Sequence, residues 1–149
     1  SHRSQRLLLM IKKNILFLCV ANSARSQMAE ALARHLYGES ANIQSAGSKP
    51  SQVNPFATAA MEAIGISMDN HHSKSVDGID HNTIDVVVSL CAEEVCPAFL
   101  GQAKRLHWPL SDPDPKNEML GDEATLRRFQ RARDTLKERL VSEKKALFS

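Results

Sequence analysis

Apolar positions along the chain change their period several times, and each change marks an element. Ile15, Leu16, Phe17 and Leu18 form an unbroken apolar run, too short for a helix and closed by small and polar residues, which predicts a buried strand. From Ser26 the period becomes helical, with Met28, Ala31, Leu32, His35 and Leu36 on one stripe and Gly38 just past it as a stop signal. Ile43, Gln44 and Ser45 make a weaker strand candidate ending at Ala46 and Gly47. A second helix has Asn54 as its cap, Pro55 in its first turn, Phe56, Ala59, Ala60, Ala63 and Ile64 as its apolar stripe, and Gly65 as its end. Residues 66 to 82 are polar and irregular, with room for a short helix. Ile84, Val86, Val87 and Val88 are β-branched and continuous in the manner of a parallel-sheet interior, and this strand runs out at Ser89, Leu90 and Cys91.

A shorter strand is predicted near Lys104 to His107, before the proline-rich stretch PLSDPDP at 109 to 115. A long charged helix then starts at Asp122 and carries Leu126, Phe129, Leu136 and Leu140 on one face. Strands alternating with helices indicate an α/β fold: a single-domain, four-stranded parallel sheet with helices on both faces. The length of 149 residues suits one such domain with a substantial core, and no repeat or linker interrupts it. The domain is read as residues 13–149. Residues 1–12 carry Ser, His and Arg ahead of a possible start at Met10, and are set aside as an N-terminal extension, native or added.

Composition narrows the functional classes. A net charge of +2 is too small to argue for a nucleic-acid partner. The apolar run from Leu7 to Ile11 is too short for an anchor, and no continuous stretch reaches membrane-spanning length, so a soluble protein without a membrane partner is expected. Three cysteines are an odd count without the dense spacing of a secreted disulfide scaffold, which favours a cytoplasmic protein with nucleophilic or redox thiols.

The chemistry concentrates after the first strand, in CVANSARS at 19 to 26. Cys19 stands at a strand end, and the loop feeds a helix N-terminus whose unpaired N–H groups and partial positive charge attract anions and favour an ionised sulfur. Arg25 adds a planar fork of donors for two oxygens of a tetrahedral anion. The Ser26 hydroxyl can donate a hydrogen bond to the thiolate. Ligands of such folds bind beyond the carboxyl ends of the strands. Cys19 follows the first strand, Cys91 the third and Asp112 the fourth, so topology alone brings these three to one edge of the sheet.

CVANSARSQMAEAL resembles the active-site segment of the low-molecular-weight protein tyrosine phosphatase superfamily, in particular of its arsenate reductase branch. The resemblance continues through QSAG at 44 to 47, VNP at 53 to 55, SLC at 89 to 91 and LHWPLSDP at 106 to 113, leaving out only the first dozen residues. It implies that Cys19 is the nucleophile, that Arg25 with Asn22, Ser23, Ala24, Ser26 and Ser45 binds the oxyanion or supports the loop, and that Asp112 protonates the leaving oxygen. Asp114 sits in a similar Asp-Pro pair, and matching HWPLSDP is what selects Asp112. The resemblance further implies arsenate as substrate, with phosphate or sulfate as analogues. Cys91 would attack the Cys19 adduct, releasing arsenite and leaving a Cys19 to Cys91 disulfide. Cys96 would then pass the disulfide outward for thioredoxin to reduce, with no bound cofactor. Disulfide partners need α-carbons within roughly 7 Å, so the CAEEVCP segment at 91 to 97 is expected to move, and the family pattern carries a longer insert here.

Some relatives bind potassium beside the loop through Asn, Glu, Ser and an acidic residue. Asn22, Glu30 and Ser45 match three of these positions, while Lys74 stands at the acidic one, where its ammonium can take the cation's place. Helical phase sets Glu30 off the apolar stripe, which leaves a solvent-exposed Glu30 as the other reading. Zinc held by Cys91, Cys96 and His71 or His72 lacks the spacing of a structural site, and no metal is expected. Two other functions stand beside the reductase. A phosphatase acting through Cys19, Arg25 and Asp112 is the first, but phosphatase relatives carry an aromatic residue after the Asp-Pro, where Asp114 and Pro115 stand here, and Tyr37 belongs to the first helix. A thiol-based arsenic or redox sensor is the second, and it would need neither Asp112 nor the loop.

Overall fold

Strand β1 (Lys13–Cys19) lies inside a four-stranded sheet with β2 (Ala41–Gly47), β3 (Val86–Ser89) and β4 (Lys104–His107), in the order β2-β1-β3-β4 and parallel throughout. This computed structural model describes residues 12–149, so the expected N-terminal extension, apart from Lys12, and the Leu7 to Ile11 run lie outside the described residues. β1 is longer than its apolar run because all seven of its residues pair in register with β2, from Lys13 with Ala41 to Cys19 with Gly47. β2 was faint in the sequence since Asn, Gln, Ser, Ala and Gly favour strands weakly, and the ladder with β1 supplies what propensity does not. The β3 run begins at Val86, with Ile84 buried just before it.

Side chains of β1 alternate between two cores. Ile15 and Phe17 join Val86 and Val88 in the larger cluster, beneath α1 (Arg25–Tyr37), α2 (Pro55–Glu62), α3 (Asp122–Ser142) and α4 (Lys144–Phe148). Leu16 and Leu18 join Val87, Ile84, Phe99 and Ala103 on the opposite face. Helical cover on the two faces is therefore unequal: α-helices shield the first, while the second has the 3-10 turn at Val76–Gly78, with Val76 and Ile79, and the irregular segment around Phe99.

Two helical stripes differ from their sequence phase. In α1, Met28, Ala31 and Leu32 are buried as expected, but His35 is exposed, while Ala29, Ala33 and Tyr37 are buried because the sheet, α2 and α3 grip the helix from several sides. In α2 the buried residues are Ala57, Ala60 and Met61, with Phe56 half-buried against Phe129, and Ala59, Ala63 and Ile64 are exposed. That helix ends at Glu62, so Ala63 and Ile64 fall in the turn leading to Gly65 instead of extending the stripe. Asn54 does cap it, its Oδ1 accepting from Phe56 N at 2.8 Å. Along α3, Thr125, Phe129, Ala132, Leu136 and Leu140 form the buried stripe, and Leu126 is only half-buried.

The Tyr37 hydroxyl ties the end of α1 to the end of α3 by donating to Leu140 O at 2.6 Å, and its ring meets Phe148 edge-on at 5.1 Å. Burial pushes the phenol well above its usual range, since a phenolate there would lose its water. Tyr37→Phe should lower stability by about 1–2 kcal/mol in urea unfolding, because it strands a buried carbonyl while keeping the ring.

Candidate active site

Cys19 ends β1 with its sulfur buried, and residues 20 to 24 curl around it before α1 begins at Arg25. Three carbonyls of this loop are engaged from outside: Val20 O accepts from Lys49 N, Ala21 O from Ser51 N and Ser23 O from Asn54 N, at 2.9, 3.2 and 2.9 Å. The negative ends of these peptides are thereby committed away from the pocket. No side chain caps α1 and no acid occupies its first turn, so its positive end is left to the loop. Asn22 has φ 49°, the left-handed region that asparagine tolerates, and this closes the loop tightly. Gly47 lies against it. A Cβ there would collide with the Val20 carbonyl and stand 2.9 Å from Asn22 N.

Hydrogen-bond directions around the sulfur follow from the Asn22 amide. Its Oδ1 accepts from Lys74 N at 2.8 Å and from Gln27 Nε2 at 3.0 Å, which leaves Nδ2 to donate to Ser26 Oγ at 2.8 Å and Ser45 Oγ at 2.9 Å. Ser45 passes its own proton to Glu30 Oε1 at 2.6 Å. Ser26 Oγ, which accepts from Asn22, is in hydrogen-bond contact with Cys19 Sγ at 2.8 Å, and Asn22 N donates to the same sulfur at 3.2 Å. The sulfur thus has one backbone donor and one hydroxyl within hydrogen-bond reach.

The structure buries Glu30, at 4% exposure, which overturns the exposed reading. The helical stripe misleads here because this side of α1 faces the end of β2 and the 71 to 74 segment. Four partners surround its carboxylate: Ser45 as above, Lys74 Nζ and Arg34 Nε at 3.4 and 3.3 Å, and His71 Nδ1 at 3.4 Å. Lys74 also donates to His72 O at 2.8 Å. Burial pushes the His71 imidazole below its ordinary value, with Glu30 pulling it up and Arg34, Lys74 and His72 pushing it further down. Among the described residues no three His, Cys, Asp or Glu side chains converge as metal ligands.

On the open side of the loop, Arg25 donates from Nη1 to Leu110 O at 2.9 Å, while its Nη2 lies 3.7 Å from Asp112 Oδ2 and 2.6 Å from Glu94 Oε1. Asp112 also meets Lys116 Nζ at 3.3 Å and accepts from Asp114 N at 3.0 Å. Asp114 is turned to Asn54 and to Lys116 N, leaving Asp112 and Glu94 as the carboxylates beside the arginine. Together with Cys19, Ser23, Ala24, Ser51 and Lys116, these groups line a cavity of about 240 Å³, smaller than the roughly 300–1,000 Å³ typical of drug-sized ligands.

Cys91 follows β3 at the same sheet edge, just beyond the last paired residues of β1 and β3, Leu18 and Ser89. It is joined by a disulfide to Cys96, with α-carbons 5.5 Å apart, and Cys19 is the free thiol. Cys91 is buried and Cys96 half-buried.

Of the residues picked from the sequence, Cys19, Ser23, Ala24, Arg25 and Asp112 line the cavity, Asn22, Ser26 and Ser45 form the network behind it, and Glu30 with Lys74 lies deeper. Gln27, Glu94 and Lys116 were missed. Gln27 is a helix-favouring polar residue with no chemical signature of its own, although it bridges Asn22, His71 and the His72 carbonyl. Glu94 lies in the CAEEVCP segment, where nothing in the sequence separates it from Glu93.

Comparison with known proteins agrees with this geometry. Residues 14–147 match the family described as low molecular weight phosphotyrosine protein phosphatase. An arsenate reductase of Bacillus cereus is 40% identical over 131 residues, spanning 87% of this chain and 92% of the relative. Among solved structures, an arsenate reductase in the phosphate binding state has a TM-score of 0.75 at 32% identity, covering 91% of this chain and 98% of that one. A thioredoxin-dependent arsenate reductase of Corynebacterium glutamicum has a TM-score of 0.59 at 27% identity, covering 95% and 71%.

The buried His71 generates a pH prediction. Its folded affinity for a proton lies below that of the unfolded chain, so the stability it permits is full above the ordinary value of 6.5 and falls as pH drops below it. Urea unfolding of wild type should weaken between pH 7 and pH 5 more steeply than that of His71→Gln, which takes up no proton.

Proposed function

This chain belongs to the low molecular weight phosphotyrosine protein phosphatase family, and we propose that within it the protein reduces arsenate to arsenite, using thioredoxin as its reductant. The observation that carries the reading is the Cys91–Cys96 disulfide at the sheet edge where the free Cys19 sits in its loop. A phosphatase needs one thiol, one arginine and one acid, and water completes its cycle. Arsenate reduction must draw two electrons from thiols, and Cys91 and Cys96 supply two further sulfurs for that. A small cavity, with Asp114 and Pro115 after the Asp-Pro where phosphatase relatives hold an aromatic, suits a bare oxyanion better than an aryl ester.

The steps follow from the contacts. Arg25 and the α1 N-terminus hold arsenate while the Cys19 sulfur, fixed by Ser26 and Asn22 N, attacks arsenic, and Asp112 protonates the oxygen that departs as water. Cys91 attacks the Cys19 sulfur. The new disulfide takes both sulfurs, the sulfur–arsenic electron pair passes to arsenic, and arsenite leaves. Cys96 then attacks Cys91, restoring Cys19 and leaving the disulfide seen here. A thioredoxin dithiol reduces that pair, which fits a thiol-reducing cytoplasm. No helix is long and apolar enough to cross a membrane among the described residues. Lys74, against Glu30, serves in place of the cation found in some relatives and supports the loop from below.

Coupled NADPH consumption with arsenate, thioredoxin and thioredoxin reductase tests the reading. Wild type should turn over repeatedly, and Cys91→Ser should stop after a single adduct; absent turnover in wild type, or full turnover in the variant, would remove the assignment. Aryl phosphate hydrolysis does not discriminate, because the shared loop supports it in either enzyme. Replacing sodium by potassium at constant ionic strength should leave turnover and melting temperature unchanged, and strong stimulation would displace Lys74 from the cation's role.

A further inference from the structure

Arg25 shares its charge between two carboxylates of unequal standing. Asp112 is held by Lys116 Nζ and Asp114 N as well as by the arginine. Glu94 stands closer to Arg25, its Oε1 at 2.6 Å from Nη2, and that oxygen is buried yet accepts no aligned hydrogen bond from any described group. Charge attraction alone fixes it. A carboxylate so held is kept in place by its tether and forfeits no aligned hydrogen bond when the tether lets it go.

Glu94 is also tethered. It lies among the four residues between Cys91 and Cys96, inside the ring that their disulfide closes with α-carbons 5.5 Å apart. Glu94 lines the same cavity as Cys19 and Asp112, so it reaches the oxyanion's place from the loop that the redox chemistry opens and closes. A tetrahedral oxyanion needs the outer nitrogen of Arg25 that Glu94 covers, and brings negative charge against negative charge at contact distance.

We propose that Glu94 gates the oxyanion site according to the redox state of Cys91 and Cys96. With the disulfide closed, its carboxylate sits on Arg25 and excludes arsenate, phosphate and sulfate. When a dithiol reductant delivers two electrons and two protons, the S–S bond breaks to two thiols, the reductant becomes a disulfide, and the opened ring lets Glu94 withdraw. Substrate then enters only when both resolving thiols are ready, so no Cys19 adduct forms that the protein is unable to resolve. The gate rests on the oxyanion reading of the Cys19 loop and is independent of which oxyanion is turned over.

Sulfate, which the enzyme does not consume, is the probe, titrated calorimetrically into the full chain with the disulfide intact, verified by mass, and after reduction. Wild type should bind sulfate at least about tenfold more weakly when oxidised, as expected for a like charge held in the site. Glu94→Gln should bring the two states within about threefold of each other, since the amide keeps the shape and loses the charge. The double variant Cys91→Ser, Cys96→Ser should match reduced wild type under both conditions. Equal affinities in the two wild-type states, a gap that persists in Glu94→Gln, or weak binding by the double variant would each overturn the gate. If no form binds sulfate, the oxyanion reading falls and the gate with it. A redox gap without arsenate turnover would leave the gate standing and overturn the reductase assignment alone.

Discussion

The backbone N–H of Lys74 donates to Asn22 Oδ1, and that one contact fixes which way the amide behind the Cys19 sulfur faces. A backbone amide only donates, so it fixes which end of the asparagine amide is oxygen. The amide nitrogen must then supply Ser26 and Ser45, and it holds the Ser26 hydroxyl against the Cys19 sulfur. Reversing the amide would place two donors against each other at Lys74 and remove the donor that holds Ser26. The nucleophile's surroundings are thus set from a segment more than fifty residues along the chain.

Charge is distributed around this relay in layers. The buried Glu30 carboxylate accepts the last proton of the network and is matched by Lys74 and Arg34, so the acid behind the loop does not repel the anion in front of it. In front, Arg25 faces Asp112 and Glu94, with Lys116 close to the former. The open side of the loop thus presents one buried guanidinium and a helix end, flanked by two carboxylates.

The nucleophile loop was legible because its strand, sulfur, arginine and helix are contiguous, and its convergence with Cys91 and Asp112 followed from parallel topology. The stripe of α2 was misread because small residues carry little periodic signal: Ala57 and Ala59 look alike in sequence, and only the packing against α3 chooses between them. Glu30 and Gln27 were hard to read for another reason. Helical phase describes contact with one neighbouring surface, whereas α1 is enclosed by the sheet, two helices and the 71 to 74 segment at once. Glu94 depended on closure of a short ring, which no local pattern encodes.

The unequal cover of the sheet divides the molecule into parts of different local stability. The larger core joins four helices to one face, whereas the smaller core is closed by a 3-10 turn and the segment holding Phe99 and Ala103. Arg105 fastens that segment, donating to the carbonyls of Phe99, Gly101 and Ala103. Leu90 is fastened on the other side, its N–H donating to Leu18 O. Between these two anchors the chain carrying both relay cysteines spans few buried apolar groups, so it constitutes a low-energy unfolding unit bounded by high-energy ones. The segment from 92 to 98 therefore opens at lower cost than β1, so movement of the cysteine-bearing loop leaves the strand beneath it intact.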